Sequence, residues 1–141
     1  MALTIIPFDL LKLEENSYHL FIPATVNGFT CRVLIDTGAS KTVFDRNYLL
    51  SHEAQIVLTE NEKLSSGLGT NTMKSETAFL KTFSLGDKVI EDYEAAVLDL
   101  SHVTNSYAQL GLEPVHAILG NDILTRYKAV IDYGKKVMKL K

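Results

Sequence analysis

The sequence excludes a good deal by what it has little of. One cysteine, Cys31, stands alone in 141 residues, so no internal disulfide framework braces the chain. It lies in an apolar strand pattern beside Val33, where a small buried filler is the expected role. Positive charge is not in excess. Fourteen Lys and Arg against 17 Asp and Glu leave a net charge of -3, which advertises neither nucleic acid nor an anionic membrane as a partner. The basic residues near the end, Lys135, Lys136, Lys139 and Lys141, are interleaved with other types and read as a solvated hairpin edge. No apolar run reaches membrane-spanning length. Met1 to Leu13 lacks a basic leader region and is interrupted by Pro7, Asp9 and Lys12, so neither a signal peptide nor a membrane span is expected and the cytoplasm is the default compartment. The histidines, His19, His52, His102 and His116, show no ligand spacing and no cysteine joins them, so no metal is expected. There is no Gly-x-Ser-x-Gly elbow, no phosphate loop, no linker and no repeat. One globular domain over residues 1–141 is what remains, with 46% hydrophobic and 22% charged residues.

What is present reads as strands. Thr4 to Leu13 is apolar-rich with one proline, acceptable at a sheet edge. After the polar turn Glu14-Glu15-Asn16, Ser17 to Val26 predicts a second strand, and Asn27-Gly28 is a two-residue hairpin signal leading into Phe29 to Ile35. Thr42-Val43-Phe44 continues as strand. Asp45 is a candidate N-cap for a short helix with Tyr48, Leu49 and Ala54 facing inward. Ile56 to Leu64 is extended, Ser65 to Thr72 is a small-residue tip around Gly67-Leu68-Gly69, and Lys74 to Leu85 and Val89 to Leu100 are strands joined at Gly86-Asp87. Ser101 to Val115 is the least legible stretch, a loop with one helical turn before Gly111. Ala117-Ile118-Leu119-Gly120 is a short buried strand. Asn121 is placed to cap a helix running to Tyr127 or Lys128. Ala129 to Tyr133 and Val137 to Leu140 form a closing hairpin around Gly134-Lys135-Lys136. The fold class is all-β with two short helices.

One stretch carries chemistry: Val33-Leu34-Ile35-Asp36-Thr37-Gly38-Ala39-Ser40. An apolar strand delivers a carboxylate into a turn, and a charge at the end of a buried strand is costly unless it is paired, hydrogen-bonded or used. Thr37 supplies a hydroxyl close by, while Gly38 turns the backbone and leaves room beside the carboxylate. A bare Asp-Thr-Gly is a weak signal by itself. Its context raises it: the preceding apolar strand, the following Ala-Ser, and a distant Ile118-Leu119-Gly120 before a short helix.

On these marks, together with the Gly-rich tip Gly67-Leu68-Gly69 and their order along the chain, the sequence resembles the retropepsin-like aspartic proteases. Asn121-Asp122-Ile123-Leu124 followed by Ala129-Val130-Ile131-Asp132-Tyr133 looks like the bacterial branch of that family. The resemblance implies a closed β-barrel domain with one or two short helices and an aspartic endopeptidase activity. It implies Asp36, Thr37 and Gly38 as the catalytic turn and Gly67, Leu68 and Gly69 as a flap over substrate. Leu34, Ala39, Val43, His116 and Ile118, with that flap, would bind the substrate. No metal or cofactor is implied, and a polypeptide is the substrate. The family's site needs two such aspartates. Asp132-Tyr133-Gly134 lacks the Thr or Ser and reads as a hairpin turn, so a catalytic form must be a homodimer pairing Asp36 from each subunit. The chain departs from the retroviral pattern where acidic residues give way to Ser40 and Lys41 and an Arg gives way to Asn121. A neutral Ser40–Asn121 contact is expected to replace that charged brace. The alternative is the same fold used without catalysis, as a dimerisation or peptide-binding module.

Overall fold

The computed structural model describes residues 3–52, 58–60 and 76–141. In chain order these form β1 (Thr4–Pro7), β2 (Asp9–Glu14), β3 (Ser17–Val26), β4 (Phe29–Ile35), β5 (Val43–Asp45), α1 (Arg46–Leu50) and β6 (Leu58–Glu60). There follow β7 (Glu76–Leu85), β8 (Lys88–Leu98), α2 (Ser101–Ala108), β9 (Ala117–Leu119), α3 (Asn121–Arg126), β10 (Val130–Asp132) and β11 (Val137–Leu140). Gly67-Leu68-Gly69 and Ala54 lie outside the described residues. Among those described, no helix is long and apolar enough to cross a membrane.

Six strands close into a barrel in the order β3-β4-β9-β5-β8-β7, with β7 returning to β3. The ring mixes antiparallel hairpins with two parallel pairs, β4 with β9 and β5 with β8. Period-two alternation sets the inside: along β4, Cys31, Val33 and Ile35 are buried while Arg32 and Leu34 face outward and are half-buried. The interior is filled by large side chains such as Phe44, Phe83, Leu80 and Leu119, each fully buried, with Phe44 and Phe83 edge-on at 5.0 Å. Closure is made at the β3–β4 hairpin tip. Asn27 and Gly28 both adopt positive φ, 50° and 86°, as a tight hairpin with strand-matched twist requires. Asn27 then clamps β7, its N–H donating to the Thr82 carbonyl at 2.9 Å and its Oδ1 accepting from the Thr82 N–H at 3.0 Å.

The structure departs from the sequence expectation in three places. The first predicted strand is two: β1 leaves to pair with β11, and β2 stays with β3. Phe8 lies between them, 4% exposed, its N–H donating to the Lys136 carbonyl, so a buried aromatic anchors the crossing between sheets. The stretch after Leu100 holds a two-turn helix, α2, where a loop with a single turn was expected. Asn121 is the first residue of α3 and not its cap. Gly120 holds that position, which leaves the Asn121 side chain free to reach elsewhere.

Helix α2 lies over the outer face of the barrel. Phe21, Tyr107 and Val115 form a second apolar cluster there, joined by Leu11, Leu13, Leu34, Val103, Leu112 and Ile118. A three-stranded sheet, β1-β11-β10, completes the molecule.

Candidate active site

Asp36 is the first residue beyond β4. Its strand neighbour Ile35 is buried and Asp36 itself is exposed. Its N–H donates to the Leu119 carbonyl at 3.0 Å, which continues the β4–β9 pairing to the point where the turn begins. The Asp36 carbonyl accepts from Ala39 N–H at 3.1 Å and closes the turn. The Gly38 N–H donates to Asp36 Oδ1 at 2.9 Å, orienting the carboxylate. A Cβ at Gly38 would stand 3.2 Å from that oxygen, so glycine serves here by leaving room.

The segment after β9 braces this turn. Asn121 N–H donates to the Ala39 carbonyl and Asn121 Nδ2 to the Thr37 carbonyl, both at 2.8 Å. The expected Ser40–Asn121 contact is therefore not the one formed: Asn121 braces the turn through the backbone of Thr37 and Ala39 instead. Behind it, Thr42 is fully buried. Its hydroxyl accepts from the Gly120 N–H at 2.9 Å and donates to Asp122 Oδ1 at 2.7 Å, while its own N–H reaches the same oxygen at 2.9 Å. A Cβ on Gly120 would lie 2.7 Å from the Lys41 carbonyl carbon and 2.9 Å from the Ala39 oxygen, which is why the apolar-apolar-Gly signature ends in glycine. Asp132, set aside as a second catalytic candidate, accepts the Lys135 N–H at 3.0 Å and shapes the β10–β11 turn.

A cavity of about 290 Å³ opens beside the turn, lined by Tyr18, His19, Leu34, Asp36, Thr37 and Tyr133 among others. Leu34 and Ile118 are register partners, and Val43 pairs with Ile118 on the other side, so the three form one row across β4, β9 and β5. Ala39 is half-buried within the turn. His116 is not brought into this group. It stands level with Arg32, four residues back along β4 and roughly 13 Å from Asp36 at about 3.3 Å per residue.

At that far end the chemistry is different. His116 Nδ1 accepts the Arg32 N–H at 2.9 Å, and its ring stacks on Tyr48 at 4.3 Å and 20°. Tyr48 donates its hydroxyl to the Thr30 carbonyl and has its acidity suppressed by burial. Burial also pushes the Cys31 thiol up to about 12, so it is an inert core group. The His116 imidazole is held below its ordinary value, first by burial. Among the described residues no cluster of His, Cys, Asp and Glu is arranged to hold a metal ion.

Sequence reasoning overlooked one neighbour of Asp36. His19 lines the cavity, its Nδ1 hydrogen-bonded to the Tyr107 hydroxyl at 2.5 Å and its Nε2 facing Ser17 Oγ at 3.3 Å. Tyr107 comes from α2. The four-residue spacing of Val103 and Tyr107 was the available signal, but the N-cap residue Leu100 has no capping side chain and the helix is built of weak formers.

The family model for aspartyl proteases matches residues 22–123. The retroviral protease-like domain of Ddi1 from Leishmania major is similar in structure, with a TM-score of 0.56 and 15% identity, over 87% of this chain and 88% of that one. A retropepsin-like aspartic protease from Rickettsia conorii has a TM-score of 0.54 and 19% identity, over 99% of this chain and 90% of that one. None of the curated proteins matches the chain.

Proposed function

The chain belongs to the aspartyl protease family, and from that premise we propose that it is an aspartic endopeptidase acting as a homodimer. One observation carries the reading. Asp36 is an exposed carboxylate at the end of a buried strand, in a turn cross-braced by the segment Gly120–Asp122, and the sequence holds this turn only once. Half of a two-carboxylate site is present, and an isologous two-fold supplies the other half because residue i then faces residue i.

In the paired site the two carboxylates share one proton, since like charges a few ångströms apart do not both ionise cheaply. The charged one takes a proton from a water that attacks the peptide carbonyl carbon. The protonated one donates to the carbonyl oxygen, and the leaving amine is protonated as the intermediate collapses. The proposed cleft wall is Leu34, Ala39, Val43 and Ile118, with Gly67-Leu68-Gly69 as the flap. Extended polypeptide lying against β-strands is the substrate form that suits it.

The test is Asp36→Asn. Cleavage of a denatured, fluorescently labelled casein is expected to fall by about 10²- to 10⁴-fold with the thermal midpoint unchanged. Retained cleavage would end the reading. So would a wild-type chain that sediments as a monomer at high micromolar concentration with peptide present.

A further inference from the structure

A second cavity, of about 310 Å³, lies between the β2–β3 turn and α2, lined by Leu13, Glu14, Ser17, Val103, Ser106 and Leu110, with His19 and Tyr107 at its inner end. His19 also lines the cavity at Asp36. The His19–Tyr107 pair is therefore a partition, with the Asp36 turn on one side and the α2 cavity on the other. We propose that this second cavity is a further substrate subsite, built for a lysine or arginine side chain of the bound polypeptide. The inference rests on the endopeptidase reading for the path of the substrate, and on the cavity itself for its selectivity.

The lining divides by chemistry. Leu13, Val103 and Leu110 supply apolar walls, and Leu110 is 48% exposed in the free chain. Such walls suit the aliphatic stem of a long basic side chain, which packs against apolar surface while its head stays polar. Glu14 is the carboxylate of the set. Ser106 donates its hydroxyl to the His102 carbonyl at 3.0 Å, so its oxygen faces an incoming group as an acceptor. The Tyr107 hydroxyl is hydrogen-bonded to His19 Nδ1, and Nε2 of the same ring faces Ser17 Oγ. The polar groups of the partition thus meet each other, and the acceptors left open in the cavity are the Glu14 carboxylate and the Ser106 hydroxyl oxygen. An ammonium or guanidinium offers only donors and fits them. A norleucine side chain would fill the same volume and leave Glu14 without a partner. A glutamate would meet like charge.

A fluorogenic decapeptide with one scissile bond, carrying Lys, norleucine or Glu in turn at each position, tests this. Wild-type protein is expected to favour Lys over norleucine by about fivefold in kcat/KM at one position, the upper end of what a partly exposed ion pair supplies. Glu14→Gln should bring that ratio to about one, and Glu14→Lys should turn the preference to the Glu peptide. Glu15→Gln, in the same turn but not among the cavity's lining residues, should leave the ratio as it was. The same peptides are titrated by fluorescence anisotropy onto the Asp36→Asn protein, alone and combined with Glu14→Gln. No Lys preference at any position, or one indifferent to Glu14, overturns the subsite even where wild type cleaves and Asp36→Asn does not. A Glu14-dependent binding preference in a protein that cleaves nothing keeps the subsite and removes the protease.

Discussion

The β4–β9 parallel pair has two ends, and they are held by different physics. At the Asp36 end the contacts are hydrogen bonds between groups with little freedom: the Thr42 hydroxyl, the Gly120 and Asn121 amides, and the Asp122 carboxylate. At the Arg32 end, beside the backbone pairing of His116 with Arg32 and Asp45, the side-chain contacts are ring faces, one imidazole acceptor and the Tyr48 hydroxyl on the Thr30 carbonyl, with Tyr48 packed against both His116 and His52. The first end presents a carboxylate to solvent. The second is half-buried and closed around Cys31. A directional network fixes a functional group in one orientation, whereas stacked rings tolerate small displacements. The fold has put its rigid end at the candidate catalytic carboxylate.

The sharpest way to break this comparison is Gly120→Ala. The added Cβ meets backbone atoms of Lys41 and Ala39 at 2.7–2.9 Å, and backbone has no rotamer to escape into. A loss of about 3 kcal/mol in urea denaturation is expected, the upper end for overpacking, together with loss of cleavage. Thr42→Val ranks second. It conserves shape but strands the Gly120 N–H and removes the hydroxyl donor to Asp122, leaving only backbone donors to orient that carboxylate, and about 2 kcal/mol should go. At the other end Tyr48→Phe removes a single hydroxyl from the Thr30 carbonyl, and about 1 kcal/mol is expected by the same measurement. If Tyr48→Phe proved as damaging as Thr42→Val, the contrast between rigid and tolerant ends would be wrong.

The same contrast explains what could be read from the chain. The Asp36 end is written in short, position-specific signals, because glycine at 38 and at 120 is demanded by local geometry, whereas the hydroxyl of Thr42 was read only as part of a strand. The Asn27-Gly28 hairpin is legible for the same reason, both residues needing positive φ. Asp45 was legible as a cap, and its carboxylate accepts from the Tyr48 N–H while also receiving the Leu100 N–H. Tertiary packing is not written locally. Helix α2 exists because Tyr107 and Val103 bury against Phe21, Leu34 and Ile118, which lie far away in sequence, and its own residues carry little helical preference. The departure of β1 to the terminal sheet is likewise decided by what Phe8 finds to cover it.

The smallest effect expected is also the most selective, because it separates the two ends by pH. His116 Nδ1 receives the Arg32 N–H, so the ring is neutral at that nitrogen, and a proton there would set one donor against another. Burial lowers the folded-state value first, and Arg32 and His52 nearby lower it further against the opposing pull of Asp45 and Glu113. A group depressed on folding binds more protons when unfolded. Its contribution to stability is therefore complete above the ordinary imidazole value of 6.5 and is lost as pH falls from there towards the folded-state value. Wild type should lose stability between pH 7.5 and pH 5 by more than His116→Asn, whose amide oxygen keeps an acceptor near the Arg32 N–H but does not titrate. The readout is the difference between the two denaturation series, since the carboxylates common to both cancel. Parallel series would mean that the imidazole accepts nothing that a proton could displace, and that the His116 side chain is held at the far end of the β4–β9 pair by ring packing alone.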